Sequence, residues 1–231
     1  MGETVSYRSN GGTREGYLAL PADGGTRPAV VVIQESWTLG AHITSIADRF
    51  AEAGFVALAP DLCPGGPSAV AGGTPAESVD ALLSGLDQAA KEVAGAAEYL
   101  AGRAEVTGKI GCVGFAAGGG LALWSAPLSE RIVAAAAFYP VLPWERMGTG
   151  WADYAGKAAL VHRPEQDGAA TAEGVAAARR AIEAAGGECA VYDYPGTAPS
   201  FFNDDRPDVF DREAAASAWA RTLELFRAKL G

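Results

Sequence analysis

Lys109-Ile110-Gly111-Cys112-Val113-Gly114-Phe115-Ala116-Ala117-Gly118-Gly119-Gly120 is the stretch whose reading decides the fold. Its apolar run, Ile110 to Val113, reads as a strand buried on both faces, and a helix-like segment follows through Trp124. A strand that turns sharply into a helix through Gly-x-x-x-Gly has the layout of a nucleophile elbow, which lifts its central side chain above a sheet. Gly114 and Gly118 flank the centre because side chains there would collide in so tight a turn. The centre requires Ser or Cys for attack on a carbonyl, and it holds Ala116, whose methyl group attacks nothing.

Outward from this elbow, strand patterns alternate with helix patterns along the chain. Residues 3–20 alternate loosely around Asn10-Gly11-Gly12 and predict a β-hairpin at a sheet edge. Pro28 to Ile33 is a β-branched run, and a helix is expected from Ala41 to Ala53, ended by Gly54. Phe55 to Ala59 predicts a strand, and residues 63–76 are a Gly/Pro/Ser-rich loop long enough to be functional. A helix from Glu77 to Arg103, interrupted near Gly85, precedes the elbow. Beyond it come strands at Ile132–Tyr139, Ala158–His162 and Cys189–Tyr194, with helices at Thr171–Ala185 and Asp211–Lys229. The alternation predicts an α/β fold: one doubly wound, mostly parallel sheet flanked by helices, with an antiparallel N-terminal edge hairpin, in a single domain over 1–231.

The chain has 231 residues, nearly half of them apolar, which supplies a sizeable core. A formal net charge of −10 argues against nucleic acid or an anionic membrane as partner, and it serves solubility. Without a signal-like N-terminus or an apolar stretch of spanning length, a cytoplasmic location is expected. Cys63, Cys112 and Cys189 make no paired framework, and the two in apolar runs read as core filler. No metal or cofactor is expected; the expected partner is a small-molecule substrate, with the chain a monomer or homodimer.

Several residues together resemble the dienelactone hydrolase family of α/β-hydrolases. They are Gln34-Glu35, His42, Ala59-Pro60-Asp61-Leu62, the elbow Gly114-Phe115-Ala116-Ala117-Gly118-Gly119, Asp167, Tyr194-Pro195-Gly196-Thr197 and Phe201-Phe202-Asn203, in the family's order and spacing. The resemblance implies a pocket at the carboxyl ends of parallel strands and a Cys-His-Asp triad that hydrolyses an enol-lactone or related ester. It places Ala116 at the nucleophile and Asp167 at the acid. The histidine position falls on Pro199, which has no group to carry a proton. The loop after Leu62 lacks the arginine that family hydrolases use to grip a substrate carboxylate.

Backbone chemistry survives these changes. The resemblance makes the N–H of Ala117, with one near Ser36 or Trp37, an oxyanion hole that steadies a carbonyl oxygen gaining charge. Glu35 and Asp167 are then the candidate acid/base residues, with Glu35 expected in an apolar pocket beside Ala116. Trp37, Ala116, Tyr139, Trp144, Trp151, Tyr154, Pro199 and Phe201 are expected to line the substrate pocket, several of them aromatic and suited to a flat or bulky ligand. His42 and His162 read as scaffold histidines. The function expected first is non-hydrolytic: cyclisation, isomerisation or elimination on a carbonyl compound in a specialised biosynthetic pathway. A pseudo-hydrolase that only binds a ligand or partner is the alternative, and an ester hydrolase using non-standard residues is the second.

Overall fold

The computed structural model describes residues 2–35, 39–62, 85–142 and 150–231, apart from the side chains of 169 and 170. Among these residues eight strands form one sheet: β1 (Glu3–Ser9), β2 (Gly12–Ala19), β3 (Arg27–Ile33), β4 (Val56–Pro60), β5 (Val106–Phe115), β6 (Ile132–Phe138), β7 (Ala158–Pro164) and β8 (Glu188–Tyr194). Their spatial order is β1-β2-β4-β3-β5-β6-β7-β8. The β1–β2 and β2–β4 pairs are antiparallel, and every pair from β4 to β8 is parallel. The hairpin turns through Asn10 (φ 47°) and Gly11 (φ 75°), two consecutive left-handed residues that match the twist of the flanking strands.

Helices cover both faces. α1 (Ala41–Glu52) and α5 (Arg212–Leu230) share one apolar layer, in which Phe50, Phe55 and Phe226 are fully buried. On the other face lie α2 (Leu86–Ala101), α3 (Ala117–Ser125) and α4 (Ala169–Ala184). β3, β5 and β6 are covered on both sides, which explains why they read as unbroken apolar runs. The predicted interruption near Gly85 is the N-cap of α2, while the expected turns at 77–84 lie outside the described residues. β5 begins at Val106, earlier than its apolar core suggests, because Val106 already pairs with Arg27 of β3.

Strand order reverses between β3 and β5, since the chain winds one way from β3 to β4 and the other way from β5 onward. In open α/β sheets a reversal of this kind is where a crevice opens, at the carboxyl ends of the two strands. The elbow stands there. Ala116 adopts φ 49°, ψ −118°, a conformation costly for a residue with a Cβ. It is pinned by its N–H donating to Phe138 O at 3.0 Å and by its carbonyl accepting from Gly120 and Val141 N–H at 3.1 and 3.0 Å. A Cβ on Gly114 would stand 2.0 Å from Gly118 O, and one on Gly118 would stand 2.2 Å from Gln34 O.

His162 locks β7, β8 and α5 together and is fully buried. Thr222 donates its hydroxyl proton to Ala218 O at 2.9 Å, so His162 Nε2 is the donor in its 2.9 Å contact with Thr222 Oγ1. Nδ1 then accepts from the Tyr194 hydroxyl at 2.8 Å, whose oxygen in turn accepts from Arg221 at 3.0 Å. Burial, with Arg221 adding repulsion, pulls the imidazole down to about 3 from an ordinary 6.5.

This depressed value has a pH signature. Between about 6.5 and about 3 the unfolded chain binds a proton that folded His162 refuses, so its contribution is intact above that window and lost as pH falls through it. Urea unfolding from pH 7 to pH 4 should show stability falling more steeply in the native protein than in His162→Gln, by up to ~1.4 kcal/mol per pH unit. Equal slopes would show that His162 is not held neutral.

Candidate active site

The parallel register builds the site. Ile33, Gly114 and Ala137 stand in one row across β3, β5 and β6. Glu35, Ala116 and Tyr139 each lie two residues beyond that row, so three strand ends deliver them to the same level of the crevice. The Tyr139 hydroxyl donates to Glu35 Oε1 at 2.9 Å, and Asn203 Nδ2 donates to Glu35 Oε2 at 3.1 Å. Both carboxylate oxygens are therefore held by polar donors, which the expectation of an apolar pocket for Glu35 did not include. The strand formed by Ile132–Phe138 stops one residue short of the expected end, because Tyr139 turns to φ 39° while donating its N–H to His162 O at 2.7 Å. Burial, reinforced by the adjacent Glu35, pushes the Tyr139 phenol well above its usual range, so it remains a proton donor to the carboxylate.

Asn203 is the partner that residue reasoning missed. Its signal was a polar side chain directly after the buried pair Phe201-Phe202, where an amide has to find a partner. Its own Oδ1 accepts from Asp205 N–H at 3.0 Å, which orients the amide so that Nδ2 faces Glu35. Beneath it, the Arg49 guanidinium lies 5.0 Å from the Phe202 ring and 4.6 Å from the Trp219 ring.

Asp167 follows β7, and its Oδ2 is buried without a hydrogen-bond partner. Burial raises its carboxyl above the ordinary range, opposed by the Gly168 N–H and by Arg163. Pro199 is exposed in the loop after β8. His42 opens α1, edge-on to Phe115 at 6.3 Å, with Nδ1 3.4 Å from Asp204 Oδ1. Ala117 begins α3, and as in any helix its N–H has no intrahelical acceptor. Among the described residues no three His, Cys, Asp or Glu side chains converge as a metal-ligand set.

Three of the expected pocket aromatics are core residues instead. Tyr154 is fully buried and donates its hydroxyl to Leu123 O at 2.6 Å, in the layer on the α3 side of the sheet. Trp151, at the start of the same 3-10 turn (Gly150–Tyr154), packs against it with ring centroids 5.8 Å apart. Phe201 is fully buried between Tyr139 and Tyr194, at 5.6 and 4.9 Å, so it supports the Tyr139 ring from behind. Such rings are worth more buried than at a wet rim. Ser36, Trp37 and Trp144 lie outside the described residues. Cys112 is core filler as expected, its thiol pushed up to about 12 by burial.

The comparisons with known proteins agree with this architecture. "Protein usf" of Aquifex pyrophilus is 29% identical, the alignment covering 98% of each chain. A protein of Aquifex aeolicus (strain VF5) provisionally named carboxymethylenebutenolidase is also 29% identical, over the whole of both chains. Among solved structures, one provisionally named a dienelactone hydrolase, of Klebsiella pneumoniae, superposes with a TM-score of 0.84 at 24% identity, covering 98% of each chain. The dienelactone hydrolase of Anabaena variabilis superposes with a TM-score of 0.74 at 17% identity, over 100% of this chain and 99% of that one. Residues 14–230 match the sequence pattern of the dienelactone hydrolase family, and the chain belongs to that family.

Proposed function

We propose that this protein hydrolyses an ester or lactone of a small carbonyl compound by direct attack of water, without an acyl-enzyme. The observation that carries the reading is the Glu35 carboxylate, held between Tyr139 and Asn203 at the level of an elbow that ends in a methyl group. The hydrolase names carried by full-length relatives support hydrolysis. They lend no support to the cyclisation, isomerisation or elimination expected from the sequence.

Glu35 takes a proton from water as the water oxygen bonds to the carbonyl carbon. The carbonyl π pair moves onto its oxygen, which the N–H of Ala117 at the start of α3 steadies. When the tetrahedral adduct collapses, the bond to the leaving oxygen breaks and Glu35 returns the proton to it, giving an acid and an alcohol or enol. The Tyr139 and Asn203 donors fix the direction of the carboxylate and leave a lone pair on each oxygen free. Triad chemistry is absent from this scheme: Ala116 supplies no nucleophile, and Pro199 no imidazole. Those two residues also favour a second reading, a family member that binds its ligand without turning it over.

Hydrolysis of dienelactone and p-nitrophenyl acetate should be linear from the first turnover, and a serine/cysteine-reactive probe should label no site residue. Glu35→Gln should lower kcat by about 10²–10⁴-fold while keeping the fold. A burst, an acylated protein by mass spectrometry, or full activity in Glu35→Gln would overturn the mechanism. Ligand binding with no rate above the uncatalysed reaction would establish the second reading.

Asp167→Asn should change that rate far less, because the imidazole its position would orient is missing. It should instead raise the unfolding midpoint. A carboxyl whose folded value is raised is fully accommodated only below its unfolded value, and it loses stability as pH rises through the folded one. The gain in Asp167→Asn should therefore be present at pH 7 and absent at pH 3, as read by thermal unfolding at the two values. A gain of equal size at both would show that the carboxylate charge is not its cause.

A further inference from the structure

Among the described residues β8 ends the sheet, and its outer edge faces no further strand. At its two ends Glu188 N–H donates to Lys157 O at 2.9 Å, and Tyr194 O accepts from Glu165 N–H at 3.2 Å. Residues 188, 190, 192 and 194 therefore direct their backbone groups toward β7, and the strand alternation turns those of Cys189, Val191 and Asp193 outward. The pairing with β7 runs without a register shift, and between Glu188 and Asp193 the strand has no charge and no proline. Bulges and prolines are among the devices that blunt an edge, and β8 has neither; its two charges, Glu188 and Asp193, stand at its first residue and next to its last.

The side chains beside this edge are matched to one another. A groove of about 310 Å³ between β8 and α5 has Ala190, Tyr192, Leu225 and Ala228 in its lining. Tyr192 is 38% exposed, a large side chain left half in water. Glu188 and Lys229, 2.6 Å apart, mark the beginning of β8, and Arg221 beside Tyr192 and Tyr194 marks its finish, with Glu224 on the helix between them. Arg221 lies 4.0 Å from the centre of the Tyr192 ring and is bonded to the Tyr194 hydroxyl.

We propose that a second copy of this chain docks here, its β8 antiparallel to the first about a two-fold axis at Val191. That register pairs Val191 with Val191 and Cys189 with Asp193, the three positions whose backbone groups point outward. On the α5 face it sets Tyr192 of each copy over Ala190 of the other, a large side chain against a small one. It also brings Glu188 opposite Tyr194 and its Arg221, so that at each end a carboxylate meets a guanidinium. The self-complementary charge order favours an identical partner over an unrelated strand. The opposite edge offers less, because Glu3, Thr4, Ser6 and Arg8 of β1 are exposed and polar.

Sedimentation velocity of the full chain from nanomolar to high micromolar concentration is the test. The native protein should sediment as a dimer at the upper end of that range. Val191→Pro removes an outward N–H without removing a bond to β7, and Ala190→Lys puts a charge under Tyr192 of the other copy. Each should weaken the dimer by about tenfold or more, while circular dichroism and unfolding midpoint confirm the fold. A native protein that is monomeric throughout would overturn the proposal, as would a dimer that persists unchanged in both folded variants.

Discussion

Four backbone segments meet at the elbow at distances that exclude a side chain, and the rest of the molecule is arranged around that meeting. A Cβ on Gly114 would strike α3 at Gly118 O, one on Gly118 would strike Gln34 O, and one on Gly119 would stand 2.8 Å from Phe138 O. The ends of β3, β5 and β6 and the start of α3 are thus held in mutual contact. Because these contacts are between backbones, they do not depend on the identity of the central residue. A methyl group at Ala116 leaves the strained turn, its three backbone hydrogen bonds and the orientation of α3 in place.

The same contact sets the electrostatics of the crevice. With β3, β5 and β6 locked in one register, Glu35 and Tyr139 arrive from either side of the elbow, and the loop after β8 brings Asn203 to the remaining oxygen. Around this polar group the packing is aromatic and dry: Phe115, Phe138, Phe201 and Phe202 are all essentially buried. Such surroundings strengthen a satisfied hydrogen-bond set and penalise an unsatisfied group. Glu35 has a donor on each oxygen; elsewhere, after β7, Asp167 has a buried oxygen with none. His162, though close in space to Tyr139 through its carbonyl, has both ring nitrogens committed to structure.

Much of the fold was legible because its signals are local. Asn10-Gly11 specifies a two-residue turn, Pro28–Ile33 a doubly covered strand, and Gly114 and Gly118 an elbow, each from sterics within a few residues. The hydrolase family followed from the order of such pieces along nearly the whole chain. Chemical detail read less well. An aromatic residue in a loop looks the same whether the loop folds over a pocket or over the core, and Trp151, Tyr154 and Phe201 went to the core.

Alternation of strand and helix, the position of the turn, and a methyl group at its centre were thus determined by the sequence alone, since each depends on neighbours in the chain. The tertiary structure decided what Glu35 touches, because its partners are 104 and 168 residues away and arrive only through sheet register and the last loop. It also decided that β8 ends the sheet with its backbone groups facing outward. Strand order is a property of how whole elements pack, and no local pattern in Glu188–Tyr194 distinguishes an edge strand from an inner one.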